Sequence, residues 1–336
     1  MVMQVYDTDT LLGVVNELDF FDPFLLSMFF PEVITFDTSK IDFDVISEDD
    51  SLAPFVSPMV AGKADKASGG ELRSFKPAYV KPKSIVDPER VLKRRPGEQI
   101  GGALNPAGRR NAIIADILSE QRKRILRRFE WMAAQALLTG KVTVSGEDYP
   151  EAEVDFKRDA GNSIVLAGLN VWSDLANATP LDDIESWNDL AEAPVTDLVM
   201  DSSAYKKFIK FQEVKDLMES RRGSESNIEL GPENGKWVTY KGMVGSYRVW
   251  IYKGYYTVNG VKTPYIPADT VIACSSALEG VRAYGAILDG EAGYQAMEMF
   301  PKNWANKDPA VEYIMTQSAP LMIPKRVNAS VAIKVA

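Results

Sequence analysis

The side chains that most often carry out chemistry in proteins are nearly absent from this sequence. It has no histidine and a single cysteine, Cys274. Histidine is the commonest general base, so Ser-His-Asp and Cys-His catalytic sites are excluded. One cysteine without histidine also disfavours zinc and non-haem iron sites, excludes an internal disulfide and is typical of a reducing compartment. The composition therefore disfavours an enzyme, without excluding one that works without histidine.

Adjacent acidic residues are the remaining groups that can hold a cation. They occur at Asp49-Asp50 and Asp182-Asp183, with no spacing that resembles a calcium loop, so we interpret both as solvated surface. Two carboxylates can also hydrolyse a glycosidic bond, but no pair stands out in the sequence. Phosphate-loop, dinucleotide-binding, nucleophile-elbow and C-x-x-C motifs are missing. We therefore predict no catalytic residue, no cofactor and no metal.

Charge is distributed in blocks along the 336 residues, whose formal net charge is −9. Residues 1–50 carry −11, residues 51–140 carry +9, and the remainder carries −7. An acidic and a basic block on one chain can attract each other between copies, which steers assembly. The sequence has no run of 18 apolar residues, and residues 1–10 do not resemble a signal peptide, so we expect no membrane span and no secretion.

A long basic arm, residues 53–95, contains too few apolar residues to bury a core of its own. Residues 55–63 and 72–83 are extended runs, residues 68–70 supply a turn, and five prolines exclude central-strand positions. The pattern predicts a protruding two-stranded hairpin, which is marginal in water unless something covers it. Its basic residues either form a solvated face or contact an acidic partner surface, and a second copy is the simplest cover.

The arm is followed by one long amphipathic helix, predicted over residues 106–139. Asn105 is suited to the N-cap, Pro106 to the first turn and Gly140 to the C-terminal stop. Apolar residues recur three or four apart, with Gln121 interrupting the stripe. At about 1.5 Å per residue the helix is roughly 50 Å long, which suits the backbone of an elongated subunit. Basic residues lie on several of its faces, but the acidic total and the lack of a nucleic-acid motif argue against sequence-specific binding.

The rest of the chain is predicted to be mixed α+β, with no internal repeat. An aromatic cluster at residues 20–30 is either a piece of core or an anchor on a neighbour. Residues 160–180 are expected to be a loop. The predicted helices are 23–30, 181–191 and 202–219; the predicted strands are 41–46, a hairpin over 141–157, 197–200, several over 236–273 with a turn at Asn259-Gly260, 311–317 and 330–336.

The order of arm, hairpin and long helix is one characteristic feature of the chain, and several longer motifs are another. They are VSPMVAG at 56–62, GG at 69–70, FKPAYVKPK at 75–83, RRGSESNIEL at 221–230, YKGMVG at 240–245, FPKNW at 300–304 and QSAPLM at 317–322. From residue 21 to about residue 322 the chain resembles the lambda-type major capsid proteins of tailed phages, the head protein E family. The last fifteen residues diverge most.

This resemblance implies an α+β fold of the Hong Kong 97 type. It implies an N-terminal arm (1–50), an extended loop or β-hairpin (51–100), a peripheral domain with the spine helix (101–169), an axial domain (170–300) and a return to the peripheral domain (301–336). Candidate contacts between subunits are Phe55, Lys63, Lys66, Phe75, Tyr79, Lys81, Lys83, Arg94 and Arg95.

The implied function is that of a major head protein forming hexamers and pentamers of an icosahedral shell around DNA, without sequence-specific binding. The implied partners are further copies of the chain, a scaffold protein, a portal protein and a small decoration protein. The implied location is the virion, with assembly in the bacterial host cytoplasm. An encapsulin-like cellular shell that stores an enzyme and a histidine-free hydrolase or transferase are the alternatives.

Some relatives in this fold join their subunits through Lys–Asn isopeptide bonds. Such a reaction would need Lys63 or Lys66, Asn328 and a nearby carboxylate. The lambda type is held by a decoration protein instead, so we expect no cross-link here.

Overall fold

The computed structural model of the chain describes residue 11 and residues 23–38, 40–46, 70–93, 105–146, 149–220, 236–308 and 311–336. The helices are α1 (Phe24–Phe29), α2 (Pro88–Leu92), α3 (Pro106–Thr139), α4 (Pro180–Leu190), α5 (Ser202–Phe208) and α6 (Gln212–Ser220). The strands are β1 (Glu32–Phe36), β2 (Ile41–Ile46), β3 (Gly70–Phe75), β4 (Lys83–Val86), β5 (Lys141–Gly146), β6 (Tyr149–Asp155), β7 (Ser163–Val165), β8 (Asp197–Met200), β9 (Val238–Val244), β10 (Tyr247–Tyr252), β11 (Tyr255–Val258), β12 (Val261–Pro264), β13 (Thr270–Cys274), β14 (Gly280–Gly285), β15 (Phe300–Ala305), β16 (Glu312–Gln317), β17 (Pro320–Pro324) and β18 (Ser330–Lys334).

Helix α3 has the bounds that its sequence predicts. The Asn105 side chain accepts a hydrogen bond from the Gly108 N–H at 2.7 Å, and Gly140 ends the helix at φ +66°. Gln121, which interrupts the apolar stripe, is buried and fully used: its amide donates to the Ile314 carbonyl and accepts from the Thr316 hydroxyl. The polar break in the stripe therefore fastens the helix to β16. No helix in the described ranges is long and apolar enough to cross a membrane.

The C-terminal end of α3 is closed by the guanidinium of Arg158. It donates to the carbonyls of Leu137 and Leu138, each at 2.6 Å, and to the Ser163 hydroxyl. These carbonyls have no partner within the helix, so a cation at this end satisfies them and complements the helix dipole. Burial lowers the pKa of Arg158 to about 10, which leaves it charged at neutral pH.

Replacing Arg158 with methionine should lower the free energy of unfolding by about 2–3 kcal/mol, because two largely buried carbonyls lose their donors. Methionine keeps the apolar length of the side chain. Urea unfolding measures the effect. The neighbouring Lys157 is exposed, and Lys157→Met should change stability by less than about 0.5 kcal/mol. If both variants lost the same free energy of unfolding, water would be able to satisfy the Leu137 and Leu138 carbonyls in place of the guanidinium.

The largest sheet has its strands in the order β7-β18-β13-β8-β10-β9 and separates two apolar clusters. Alternate residues of its central strands face opposite sides: Val199 and Ile272 belong to the cluster around α3, and Leu198 and Val271 to the cluster around α4–α6. The second cluster contains Trp172 stacked on Trp187 and Phe208, with ring centroids 5.7 and 5.2 Å apart. Because both faces are covered, β8 and β13 are buried throughout and mostly apolar, with Asp197 and Thr270 as their polar first residues.

Two smaller sheets and three hairpin-like pairs complete the described part. The small sheets are β1-β14-β17 and β15-β16-β4, and α3 packs against β16 and β17. The predicted hairpin over 141–157 is confirmed as β5–β6, and β11–β12 turns at Asn259 and Gly260, both with positive φ as such a turn requires. The fold is therefore mixed α+β, and several of its strands, among them β4, β5, β16, β17 and β18, contact α3.

Elements β1, α2, β14, β15 and β17 lie where no helix or strand was predicted, and three of the predicted elements differ in the structure. The helix predicted over 202–219 is broken at residues 209–211, where tighter i→i−3 hydrogen bonds let Phe208 and Phe211 enter the same apolar cluster. The predicted loop 160–180 contains β7, which extends the largest sheet beside β18. The third difference concerns the arm: β3 pairs along its length with β2, whereas its predicted partner, residues 55–63, lies outside the described residues.

Candidate inter-subunit surface

The segment between β3 and β4 is fixed to its own subunit through Tyr79 and Val80. Val80 exchanges two backbone hydrogen bonds with Ser318, at 2.9 and 3.0 Å. The Tyr79 hydroxyl donates to the Ala286 carbonyl at 2.6 Å and accepts from the Leu288 N–H at 3.1 Å. Burial raises the pKa of Tyr79, so its hydroxyl stays a neutral donor. Phe75 is half-buried against the main core, so both aromatic candidates in the described part have contacts inside the subunit.

Lys81 in this segment and Lys83 at the start of β4 are exposed. The Lys81 ammonium lies 4.6 Å from the centroid of the Tyr79 ring, and the Lys83 ammonium lies 4.1 Å from that of Tyr313. An ammonium over a ring face is held in place yet stays accessible to an anion. Residues 81–83 therefore present two ordered positive charges at the surface. The structure brings Tyr79 and Lys81 together and places Lys83 on a separate patch beside Trp304 and Tyr313.

The other candidate contacts, Phe55, Lys63, Lys66, Arg94 and Arg95, lie outside the described residues. A contact between subunits at any of the nine positions stays a prediction.

A loop beside Tyr79 presents apolar side chains that sequence reasoning did not single out. Leu288 and Tyr294 are exposed on the loop between β14 and β15. The loop is anchored by Asp289, whose carboxylate accepts from Lys302 at 2.5 Å and Gln317 at 2.9 Å. Although burial opposes its ionisation, these hydrogen bonds lower the pKa of Asp289 below its usual value. An anchored loop with two exposed apolar residues suits a contact surface.

Three buried carboxylates fasten elements of the subunit to one another, and the sequence analysis missed all of them. Glu130 of α3 accepts from the backbone N–H groups of Leu25 and Leu26, each at 2.9 Å, and from the Tyr252 hydroxyl at 2.6 Å. It therefore ties α1 to α3 and to the largest sheet. The position of Glu130 on the apolar stripe of α3 is the one sequence signal that could have predicted that its side chain is buried.

Asp197 and Glu312 are bound in the same manner. Asp197 accepts from Arg248 at 2.6 Å and from the Trp250 indole at 2.9 Å. Glu312 accepts two hydrogen bonds from Arg110 and one from Asn303. We interpret these buried carboxylates as structural, because their oxygens already accept hydrogen bonds from protein donors. A carboxylate that acts as an acid or base must instead be able to reach its substrate.

The acidic pairs considered as cation sites have ordinary roles where they are described. Asp183 accepts from the Trp172 indole at 2.8 Å, and burial raises its pKa, while Asp49 and Asp50 lie outside the described residues. The described part contains no group of three or more acidic or cysteine residues arranged to hold a metal. Cys274 is buried, and burial raises the pKa of its thiol well above the usual value, which makes it unreactive.

Asn328, considered above for cross-linking, is engaged inside the subunit. Its side-chain oxygen accepts from the Asp159 N–H at 2.9 Å, and its nitrogen donates to the Asp159 carboxylate at 3.1 Å. The amide joins the tail to the segment that follows β6.

Known proteins match this chain over nearly its whole length, both in sequence and in structure. The model of the phage major capsid protein E family matches residues 7–335. The major capsid protein of Escherichia phage N15 is 40% identical, covering 99% of this chain and all of that protein, and that of Escherichia phage lambda is 37% identical over 96% of each. The crystal structure of a protein assigned as a capsid protein of an E. coli CFT073 prophage has a TM-score of 0.80 and 32% identity, covering 99% of this chain and 100% of that one. The chain therefore belongs to the phage major capsid protein E family.

Proposed function

We propose that the chain is the subunit of an icosahedral phage head, which it builds as hexamers and pentamers around DNA. The observation that carries this proposal is the family match from residue 7 to residue 335. Members of this family are structural capsid proteins and are not known as enzymes. The same match disfavours an encapsulin-like cellular shell and a histidine-free enzyme.

The parts of the chain are proposed to divide this work. Helix α3 is the spine of a peripheral domain made of residues 101–169 and 301–336, and residues 170–300 form the axial domain at capsomer centres. Residues 1–50 are the N-terminal arm and residues 51–100 the extended loop. The β2–β3 pairing supports a loop whose base begins at Ile41, earlier than its proposed boundary. The nine candidate residues are proposed to contact neighbouring copies.

A scaffold protein, a portal protein and a small decoration protein are the proposed partners. The shell encloses DNA without reading its sequence, and it assembles in the cytoplasm of the bacterial host before becoming part of the virion. The net charge of −9 supports enclosure without extensive adhesion, because overall repulsion limits how much of an acidic shell adheres to the DNA inside it.

Negative-stain electron microscopy with sedimentation velocity tests the proposal. The purified chain is studied alone and co-expressed with its neighbouring head genes. Closed shells, or rings of five and six subunits, are expected. A discrete dimer or tetramer under every condition would contradict a capsid function.

Assembled heads boiled in denaturant should migrate as a single band at the subunit mass. The Asn328 amide is hydrogen-bonded through both its oxygen and its nitrogen within the subunit, and a lysine of a neighbour would have to displace these contacts. Denaturing gel electrophoresis of purified heads makes the measurement. A ladder of bands that disappears in a Lys63→Gln/Lys66→Gln variant would establish the cross-link instead.

A further inference from the structure

A strongly basic cleft of about 700 Å³ lies between the middle of α3 and the β11–β12 hairpin. Five cations line it, and we call this surface the basic cleft: Arg124, Arg127, Arg128, Lys236 and Lys262. Among the described lining residues the carboxylate is Glu120, which pairs with Arg124 at 2.5 Å. A local charge of +4 is unusual on a chain whose net charge is −9.

Aromatic rings order three of these cations. The pairs are Arg128 over Trp131, at 5.1 Å from the ring centroid, Lys236 over Trp237 at 5.2 Å and Lys262 over Tyr255 at 4.9 Å. Trp237 and Tyr255 meet edge to face, with ring centroids 4.6 Å apart, and pack together in one wall of the cleft. Cations held on ring faces need less reordering to meet an anion than mobile side chains do.

The composition of the cleft distinguishes between two kinds of anionic partner. The cores of protein–protein interfaces are enriched in arginine and aromatic residues but depleted in lysine. Protein–DNA interfaces are more polar and much more positively charged. A cleft with five cations, two of them exposed lysines, matches the second kind.

We propose that the basic cleft binds the phosphate backbone of nucleic acid without reading its sequence. The proposal relies on the proposed function only for its setting, in which this surface touches the enclosed DNA. The acidic total does not prevent this contact, since at physiological salt charges are screened beyond about 8 Å and local cations dominate. The subunit then repels DNA weakly at a distance and holds it at one place.

Fluorescence anisotropy with a labelled DNA duplex of arbitrary sequence, titrated with salt, tests the proposal on the full-length subunit. If four phosphates are neutralised, the slope of log affinity against log salt should be about −3.6. Lys236→Gln/Lys262→Gln should make that slope less steep by about 1.8 and weaken binding by roughly 10- to 100-fold. Both lysines are exposed, so the fold is expected to persist, and thermal melting verifies this.

The matched control is Lys206→Gln/Lys210→Gln, which makes the same change in net charge at exposed positions on and just after α5. Its affinity should stay within about twofold of the unaltered chain. Equal losses in both variants, or no binding by the unaltered chain, would overturn the proposal. So would displacement of the duplex by poly-glutamate at lower concentration than by unlabelled DNA, because the partner would then be an acidic polypeptide. A subunit that binds DNA but never forms shells would leave this inference standing while contradicting the proposed function.

Discussion

Deleting residues 63–69 is expected to leave a folded subunit that forms few or no shells. The deletion ends before β3, so the β2–β3 ladder keeps every pair from Gly70↔Ile46 to Phe75↔Ile41. Shortening a connection changes the closure free energy by less than about 1 kcal/mol, so the free energy of unfolding should hardly change. The deletion removes Lys63 and Lys66, which are candidate contacts to a neighbour.

The effect on assembly should be large because a shell repeats each contact in every subunit. A loss of only about 1.4 kcal/mol weakens each contact tenfold, and a closed shell depends on many contacts at once. Sedimentation velocity measures the fraction assembled, and urea unfolding measures the stability of the subunit. A variant carrying a Gly-Ser segment of equal length in place of residues 63–69 separates the effect of side chains from that of chain length.

Two results would contradict this expectation. Assembly at normal yield by the deletion variant would show that this segment is not an assembly element. A large loss of subunit stability would show that the segment belongs to the core of its own subunit.

The elements that the sequence predicted well are those specified by local signals. Helix α3 begins and ends where Asn105 and Gly140 place its caps, and β11–β12 turns at Asn259-Gly260. Capping and turn formation depend on residues only a few positions apart, so both can be recognised from the sequence. Family motifs predicted the mixed α+β capsid fold, which the structural match supports.

The elements that were missed depend on contacts between distant residues. Strand β3 has an apolar-polar pattern that suits many partners, and its pairing with β2 is decided by the three-dimensional arrangement. The break at residues 209–211 follows from the burial of both Phe208 and Phe211 in one cluster, which a continuous helix period does not reveal. β7 is too short to be recognised without β18 beside it.

The surface was predicted only in part for the same reason. Lys81 and Lys83 are exposed basic residues, as the basic arm suggested, but the ring contacts that order them come from Tyr79 and Tyr313. The basic cleft combines residues of α3 with Lys236 and Lys262, more than a hundred positions further along the chain. A charge count along the sequence cannot bring such residues together.

Replacing Glu130 with alanine should lower the free energy of unfolding by about 3–5 kcal/mol, one of the largest effects of any single substitution in the described part. Helix α1 is preceded by Pro23, which offers no side-chain cap, so its first N–H groups need an acceptor from elsewhere. The Glu130 carboxylate provides one for Leu25 and Leu26 and also holds the Tyr252 hydroxyl. Its negative charge at the N-terminus of α1 adds a favourable interaction with the helix dipole.

Urea unfolding of the unassembled subunit measures this loss, with two variants for comparison. Glu130→Gln keeps one acceptor oxygen, so it should be less damaging, at about 1–2 kcal/mol. Glu120→Ala removes an exposed carboxylate of the same helix that pairs with Arg124, and should cost no more than about 0.5 kcal/mol. If Glu130→Ala were as mild as Glu120→Ala, α1 would not depend on this carboxylate, and the apolar contacts of Leu25, Leu26 and Phe29 alone would hold it on α3.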